Sequence, residues 1–316
     1  MIARHDIPMH GAGPHQPLGR PRLEPRANTQ PVDLDIGVIY TWERELMPPL
    51  LSTLSRSGDD LRMRLVLVDN ASDDGVAQWE QHFSRVHVVR NERRLSYAAN
   101  MNRILEASSA PFVLLLNTDM FFTPEEQCLS KMVRFMHEHP QCGVAGCRLY
   151  HPAGDYAFPA RRFPTLPMIV ARRFPFWRSL SGYIHDYLYL ERDRFGVFEC
   201  DWLSGCFLLV RRTALDSVGL IDPQFEKYFE DVDICRRMAQ HGWQVLFNGG
   251  TFGYHIEQRA SRKMFSRDSW THISSYRKWL WKWRPMGTAR GASLGASGRA
   301  AVLPYPVAQQ GGRQAA

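Results

Sequence analysis

Short apolar segments alternate with helix-like segments between residues 36 and 149, and this alternation limits the chain to few folds. The apolar segments are predicted to be strands at residues 36–41, 64–69, 86–90, 112–116 and 143–149. Helical spacing of apolar residues occurs between them, at 46–55, 76–83, 97–107 and 123–137. Unbroken apolar strands have both faces covered, which is typical of parallel sheets flanked by helices. The sequence therefore predicts an α/β fold with a Rossmann-like, mostly parallel central sheet and helices on both faces.

The helix predicted at 123–137 begins with the pattern of a capping box. Thr123 is expected at the N-cap, Pro124 at the first helical position and Glu126 at the third. After residue 150 the alternation ends, and residues 151–200 are predicted to be irregular, aromatic and rich in arginine. Regular structure is predicted to resume with a strand at 206–211, a helix at 231–241, a strand at 244–247 and a final helix at 266–283.

Both ends of the chain are predicted to be disordered tails. Residues 1–31 and 284–316 contain many Pro and Gly and have no apolar periodicity. They also carry +6 of the formal net charge of +7, so residues 32–283 are close to neutral. A near-neutral core gives no reason to expect nucleic acid as a partner.

The composition predicts a cytoplasmic protein, with the inner face of a membrane as a candidate contact. The sequence has no apolar stretch near the roughly 18–20 residues that span a bilayer, and no apolar signal core at its start. Its six cysteines form no C-x-x-C pair and have no zinc-type spacing, so we expect reduced thiols.

Acids stand at the ends of two predicted strands. Asp69 and Asn70 end one strand, and Asn117-Thr118-Asp119 follow the very apolar strand 112–116. Ligands bind outside the carboxyl ends of strands in open α/β sheets, and Mg²⁺ takes one or two carboxylates plus substrate phosphates. One such acid is more often a turn residue that caps the next helix, but two at successive strand ends favour a ligand site.

A third acidic group begins the predicted helix at 231–241. Glu226, Glu230, Asp231 and Asp233 surround two aromatic residues. Acids at a helix start are stabilised by the helix dipole, yet a carboxylate between aromatic walls also suits a general base. His255 follows the strand predicted at 244–247, which makes it a further candidate although a lone histidine is more often structural.

These motifs, in their order, resemble the family 2 glycosyltransferases with a GT-A fold, especially rhamnosyltransferase-like members. The motifs are VDNASDDG, NERRLSYAANMN, FVLLLNTD, DWLSGCFLLVRR, FEDVDICRRMAQHGW and GYHI. The resemblance covers residues 35–283. It implies that residues 32–283 form a GT-A domain, with a nucleotide-sugar-binding half at 32–150 and a more helical acceptor-side half at 151–283.

The resemblance also implies a role for each matching residue. Asp231 is the expected catalytic base, and Asp119 and His255 are the expected ligands of a divalent cation, Mg²⁺ or Mn²⁺. The expected donor-binding residues are Thr41, Glu43, Asp69, Asn70, Asn117, Thr118 and Asp119. The expected acceptor-binding residues are Trp202, Ser204, Gly205 and Glu230. The implied reaction transfers a sugar from a UDP- or dTDP-linked donor, such as dTDP-rhamnose, to a glycan or lipid-linked hydroxyl with inversion.

Three motifs depart from the family pattern. Trp42 and Glu43 stand where the family has Tyr and Asn, Ser96 stands at a usual Gly, and Asn117 replaces the first acid of the D-x-D signature. Arg94 adds a charge beside Ser96. These departures leave the donor sugar open.

Two other functions fit parts of the sequence. A nucleotidyltransferase uses similar acids but normally has a Gly-rich loop after the first strand, and residues 41–45 contain no Gly. A non-catalytic membrane-surface protein fits residues 259–283, where basic residues and tryptophans are interleaved. Trp279, Trp281 and Trp283 are two positions apart, so they do not share one face of a helix.

Overall fold

A computed structural model of the 316-residue chain describes residues 31–173, 181–256 and 267–284. The strands are β1 Leu34–Tyr40, β2 Met63–Asp69, β3 Val86–Arg90, β4 Phe112–Leu116, β5 Met120–Phe121, β6 Cys142–Tyr150, β7 Ala160–Arg161, β8 Val197–Glu199, β9 Trp202–Leu203, β10 Phe207–Arg211 and β11 Gln244–His255. The α-helices are α1 Met47–Leu54, α2 Ala77–Glu80, α3 Tyr97–Ala107, α4 Cys128–Glu138, α5 Leu166–Arg173, α6 Ser181–Tyr187, α7 Arg212–Val218, α8 Glu230–Gln240 and α9 Arg267–Lys282.

The large sheet runs in the order β3-β2-β1-β4-β10-β6-β11-β5, and β8 also pairs with β11. The four strands β1 to β4 are parallel, as are β6 and β11. Strand β10 is antiparallel to both β4 and β6 and joins the two parallel groups. A separate two-stranded ribbon pairs β7 with β9.

Helices cover both faces of this sheet. On one face, α1, α2 and α4 pack a buried cluster that includes Leu50, Trp79 and Phe135. On the other face, α3, α7, α8 and α9 pack a second cluster that includes Met101, Val232 and Trp279. The predicted α/β class, with its central sheet covered on both sides, is confirmed.

Several predicted elements have different bounds in the structure. The helix predicted at 123–137 is split into a 3₁₀ turn, Pro124–Glu126, and α4, because Gln127 has a left-handed backbone with φ of 48°. No capping box forms there, since the Thr123 side chain makes no cap bond and Glu126 instead pairs with Lys131 at 2.9 Å. Strand β11 continues to His255, well beyond the predicted end at 247. The segment 151–200, predicted to be irregular, contains β7, β8, α5 and α6.

The predicted tails lie outside the described residues, except for Pro31 and Arg284. Arg259, Arg262 and Lys263, which belong to the basic and tryptophan-rich segment 259–283, also lie outside the described residues. The division of residues 32–283 into a donor half and an acceptor half stays a prediction. All six cysteines are free and buried. Within the described ranges, no helix has the length and apolarity required to cross a bilayer.

Helix α9 has two different faces, which resolves the irregular aromatic pattern of its sequence. Tyr276 and Trp279 point into the core, and Trp279 is only 4% exposed. Trp270 and Trp281 lie on the opposite side and are 65% and 66% exposed. The tryptophans therefore divide between a packed face and a solvent face.

Asp233 fastens the C-terminal end of α9 to α8. It is fully buried and accepts hydrogen bonds from Arg237 Nε at 3.0 Å, Lys282 Nζ at 2.9 Å and Trp283 Nε1 at 2.9 Å. Two cations and an indole thus meet one carboxylate, so its removal leaves charged groups buried without their partner.

Asp233→Ala is therefore expected to lower the free energy of unfolding by about 3–5 kcal/mol. Urea denaturation of the full chain measures this change. The matched control is Asp33→Ala, which breaks a partly exposed ion pair with Arg62. This change should lower the free energy of unfolding by no more than about 1 kcal/mol. Equal effects of the two substitutions would show that the Asp233 cluster does not hold α9 in place.

Candidate active site

The carboxyl ends of β1, β2 and β4 lie together at one edge of the sheet, because β1 pairs in parallel with both neighbours. The polar residues that end or follow these strands share this edge: Thr41, Asp69, Asn70, Asn117, Thr118 and Asp119. The structure thus brings together the strand-end residues at 69–70 and 117–119 and the Thr41 that the family resemblance added; their donor-binding role stays a prediction.

Asp69 keeps part of its carboxylate available at this edge. It is buried, and its Oδ1 accepts a hydrogen bond from Ser72 N at 2.9 Å. No described residue donates a hydrogen bond to its Oδ2. This oxygen can accept a hydrogen bond from a nucleoside.

The Asn70 side chain is engaged by the protein itself. Its Oδ1 accepts from Leu95 N at 2.8 Å and from Asn91 Nδ2 at 3.1 Å, and its Nδ2 donates to Leu95 O at 3.3 Å. These bonds hold residues 91–95 against the strand end. The geometry therefore favours a positioning role for Asn70 at the predicted donor site.

Glu43 is also engaged locally. Its Oε2 accepts from the backbone nitrogens of Thr41 at 2.8 Å and Trp42 at 3.0 Å, which fixes the turn after β1. The Arg94 guanidinium lies 3.1 Å from the centroid of the half-exposed Trp42 ring. Two departures from the family pattern, Trp42 and Arg94, are thus one cation–π contact.

Asp119 and His255 meet at the end of β4. The Nε2 atom of His255 lies 3.2 Å from Asp119 Oδ1, and β11 brings the histidine there by pairing with β5. Burial lowers the pKa of His255, but hydrogen bonds with Asp119 and Cys206 together have a larger, opposite effect and raise this pKa to about 10. The imidazole is therefore protonated in the absence of a cation.

These two side chains fit a divalent cation. A carboxylate oxygen and an imidazole nitrogen already converge, and both side chains are mostly buried. Two protein ligands leave most of an octahedral shell for diphosphate oxygens and water. A cation that binds His255 displaces its proton.

Asp231 lies at the start of α8 and is held by backbone donors. Its Oδ2 accepts from Gly205 N at 2.9 Å, and its Oδ1 accepts from Val232 N at 2.9 Å. Burial raises the pKa of Asp231, and the hydrogen bonds from Gly205 and Val232 oppose this shift. The preceding residues Tyr228 and Phe229 have φ of 69° and 71°, a conformation that turns the chain sharply into the helix.

Glu230 is the more strongly perturbed member of this carboxyl pair. It is buried, and its Oε2 has no hydrogen-bond partner among the described residues. Burial, followed by the charge of Asp231, raises its pKa well above the usual range. Asp231 has two backbone donors and Glu230 Oε2 has none in the described part of the chain, so the environment favours the charged form at Asp231 over Glu230.

Glu230→Gln is expected to stabilise the protein increasingly as the pH rises. The raised pKa of Glu230 does not affect the free energy of unfolding at a pH below the pKa of the unfolded chain, which is near 4.5. Above that pH it lowers the free energy of unfolding, and by more as the pH approaches the pKa of the folded protein. Glutamine has no such titration. Melting temperatures of both proteins between about pH 5 and pH 8 measure the difference. Parallel curves would contradict the shift.

Three of the predicted acceptor-side residues, Trp202, Ser204 and Gly205, lie in β9 and the turn that follows it, next to Asp231. Gly205 donates its N–H to Asp231, and an added Cβ would lie 3.3 Å from Asp231 Oδ2, which leaves little room for a side chain. Ser204 Oγ accepts from the Cys206 thiol at 3.4 Å. The Trp202 indole is buried, and its N–H donates to Arg162 O at 2.7 Å. Its only polar group is therefore already used, and the indole ring can contact a ligand only by packing.

Three residues outside the predicted set belong to this site. Tyr97 donates its hydroxyl to Asn117 Oδ1 at 2.8 Å, and its pKa is raised well above the usual range by burial and then by the charges of Glu230 and Asp231. The charge of Arg161 opposes the rise in the pKa of Asp231 that burial causes. The Arg161 guanidinium lies 5.0 Å from the Trp202 ring. The Cys206 side chain forms a hydrogen bond with His255. Tyr97 and Cys206 stand within two of the motifs that carry the family resemblance, and Arg161 stands in the arginine-rich segment 151–200, but no pattern assigned a role to any of them.

The sequence matches the glycosyl transferase family 2 over residues 36–219, which is more than half of the chain. It is 26% identical over 231 residues to an N-acetylglucosaminyl-diphospho-decaprenol L-rhamnosyltransferase of Mycobacterium tuberculosis, covering 68% of this chain and 72% of that protein. It is 20% identical over 255 residues to the rhamnosyltransferase WbbL of Escherichia coli, covering 78% of this chain and 91% of that protein.

Solved structures share the fold at low sequence identity. A mannosyltransferase from Pyrobaculum calidifontis, in complex with GDP-Man and Mn²⁺, superposes with a TM-score of 0.54 at 16% identity, covering 80% of this chain and 65% of that one. GalNAc-T7 with UDP, GalNAc and Mn²⁺ superposes with a TM-score of 0.59 at 12% identity, covering 80% of this chain and 49% of that one. The fold is thus GT-A, and the chain belongs to glycosyl transferase family 2.

Proposed function

We propose that this glycosyltransferase moves a sugar from a UDP- or dTDP-linked donor to a hydroxyl of a glycan or lipid-linked acceptor, with inversion at the anomeric carbon. The observation that carries the proposal is the partly buried Asp231 carboxylate, which the backbone N–H of Gly205 holds beside residues 202–205. A second carboxylate, Asp119, lies at the strand end beside His255. One acid would thus serve as base and the other would serve the donor diphosphate.

Asp231 would act as the general base. It would take the proton of the acceptor hydroxyl while that oxygen forms a bond to the anomeric carbon. The bond between that carbon and the diphosphate oxygen breaks, and the nucleoside diphosphate leaves with the electron pair. Single displacement from the face opposite the leaving group inverts the configuration, as in inverting glycosidases.

Asp119 and His255 would hold a divalent cation, Mg²⁺ or Mn²⁺, at the donor diphosphate. A cation there supplies Lewis-acid stabilisation of the leaving group. Asn117 would position its neighbours through the hydrogen bond from Tyr97. Mn²⁺ in the two solved structures supports a divalent cation but leaves the choice between Mg²⁺ and Mn²⁺ open.

The donor base would bind at the ends of β1 and β2. Asp69 would accept a hydrogen bond through the oxygen that the protein leaves available, and Thr41 would lie in the same pocket. Trp42 and Arg94 would border it, and Glu43 and Asn70 would fix the two loops that form its walls. The rhamnosyltransferase names of two relatives favour dTDP-rhamnose as the first donor to test.

The acceptor would bind at residues 202–205 and Glu230. A relative named for an N-acetylglucosaminyl-diphospho-decaprenol substrate supports a lipid-linked diphosphate acceptor. Arg161, beside Trp202 and near Asp231, supplies a cation for an acceptor phosphate. Such an acceptor would place the enzyme in the cytoplasm, peripheral on an anionic inner membrane surface.

A donor screen tests this proposal. Thermal shifts with Mn²⁺ present should rise for one nucleotide sugar above the others, because a ligand of the native state raises its melting temperature. Product analysis of that donor should then give a nucleoside diphosphate. Release of pyrophosphate would instead indicate a nucleotidyltransferase.

A further inference from the structure

The outer face of α9 carries an exposed apolar stripe. Trp270, Ile273 and Trp281 are 65%, 50% and 66% exposed. Their spacing puts them on one side of the helix, directly opposite the buried Trp279. Single exposed apolar residues are ordinary, but two indoles and an isoleucine in one row indicate a binding surface.

Cationic side chains accompany this stripe. Arg277 lies within it, between Ile273 and Trp281, and forms no ion pair within the described ranges. Lys278 donates to Gln224 O at 2.9 Å and pairs with Glu226 at 4.0 Å, whereas the Arg284 guanidinium lies 4.9 Å from the Trp281 ring. By sequence, α9 has one acidic residue, at its N-terminal end. The surface is therefore apolar and positively charged.

The inner face of α9 holds the segment that bears the proposed base. Ser275 Oγ donates to Lys227 O at 2.8 Å, and the Phe229 ring lies 5.5 Å from Tyr276 and 6.0 Å from Trp279. Asp231 lies two residues beyond Phe229. One helix, about 10 Å in diameter, thus separates the exposed stripe from the chain leading into the base.

We propose that the outer face of α9 docks on an anionic lipid bilayer and thereby holds the Glu230–Asp231 segment at the membrane surface. Indole rings partition to the bilayer interface, and Arg and Lys pair with anionic headgroups while their stems lie among apolar groups. A basic residue near such a surface is attracted in a salt-dependent manner. The role in presenting an acceptor rests on the proposed function, but the docking itself does not.

Vesicle co-sedimentation of the full chain, without any sugar substrate, tests the docking. The chain should bind phosphatidylcholine vesicles that contain phosphatidylglycerol, and bind pure phosphatidylcholine vesicles less. Trp270→Ala and Trp281→Ala should each lower the partition coefficient about tenfold. Arg277→Glu should lower it on anionic vesicles only. Phe195→Ala is the matched control, since it removes an exposed aromatic ring outside α9 and should leave binding unchanged.

Equal vesicle binding by the stripe variants and the native chain would overturn the proposal. So would a native dimer that the same variants convert to a monomer with no loss of vesicle binding, because that result makes the stripe a contact between two copies. Circular dichroism of each variant verifies its fold. Donor binding, measured by calorimetry, does not depend on vesicles. A failure of the sugar-transfer proposal would therefore abolish donor binding, whereas a failure of docking would leave donor binding intact and remove only the vesicle effect.

The link to the acceptor has its own readout. Trp270→Ala with Trp281→Ala should reduce transfer to an acceptor embedded in anionic vesicles at least about tenfold. Transfer to a short, water-soluble acceptor should stay unchanged. Equal loss on both acceptors would overturn the presenting role, because it would indicate damage to the base segment instead of lost docking.

Discussion

Asp231→Asn is expected to lower kcat for sugar transfer by about 10²–10⁴-fold while donor affinity stays the same. Asparagine keeps the shape of the side chain and an oxygen that can accept from Gly205 N, but it cannot take the acceptor proton. Steady-state kinetics and calorimetry with the donor separate the two effects. Near-native turnover in Asp231→Asn would show that another group is the base.

The pH profile of the native enzyme belongs to the same prediction. The base must be ionised, and burial raises the pKa of Asp231. The rate should therefore fall as the pH drops through that raised pKa, and Asp231→Asn should remove this limb. Glu230→Gln is the adjacent control: it leaves Asp231 in place but changes a hydrogen-bonding group of the proposed acceptor site, so most of kcat should remain while KM for the acceptor rises.

Asp119→Ala should weaken metal-dependent donor binding by at least about a hundredfold. The substitution removes the carboxylate that meets His255 at the end of β4, so a cation between protein and diphosphate loses its anionic ligand. Calorimetry with the donor, with and without Mn²⁺, measures the effect, and Mn²⁺ should no longer increase affinity in the variant.

Asp216→Ala is the matched control for this substitution. Asp216 is an exposed carboxylate on α7, away from the strand ends. Its loss should leave the donor affinity and its dependence on Mn²⁺ unchanged. If Asp119→Ala also kept both, Asp119 would not be a metal ligand.

The first half of the fold could be predicted from its sequence because its strands are mainly apolar and alternate with segments of helical spacing. Strands β3 and β4 and helix α3 have the predicted bounds. The parallel arrangement also predicted that Asp69 and the residues around Asp119 would share one edge, since strand ends meet there.

Other features depend on contacts that no local pattern contains. Strand β11 continues through a pair of glycines, and a Cβ at Gly249 would lie 2.5 Å from the backbone oxygens of Arg194 and Gly196. Glycine is thus needed for close packing at a position that resembles a turn in sequence. This continuation is what carries His255 to Asp119.

The uses of individual polar side chains were equally inaccessible to sequence. Asn70 was predicted to bind the donor, but its hydrogen-bond partners at residues 91 and 95 lie more than twenty positions away. The aromatic residues of α9 gave no clear face until tertiary packing assigned Trp279 to the core and Trp281 to the solvent. Such assignments depend on which neighbours the fold supplies.

The anomeric configuration of the product distinguishes a single displacement at the anomeric carbon from a double displacement. Proton NMR of the glycoside, formed from the donor that the screen identifies, should show inversion relative to the nucleotide sugar, together with one released nucleoside diphosphate. This is the result of a single displacement assisted by Asp231. A product that retains the donor's configuration would contradict the account, because one base and one displacement cannot give it.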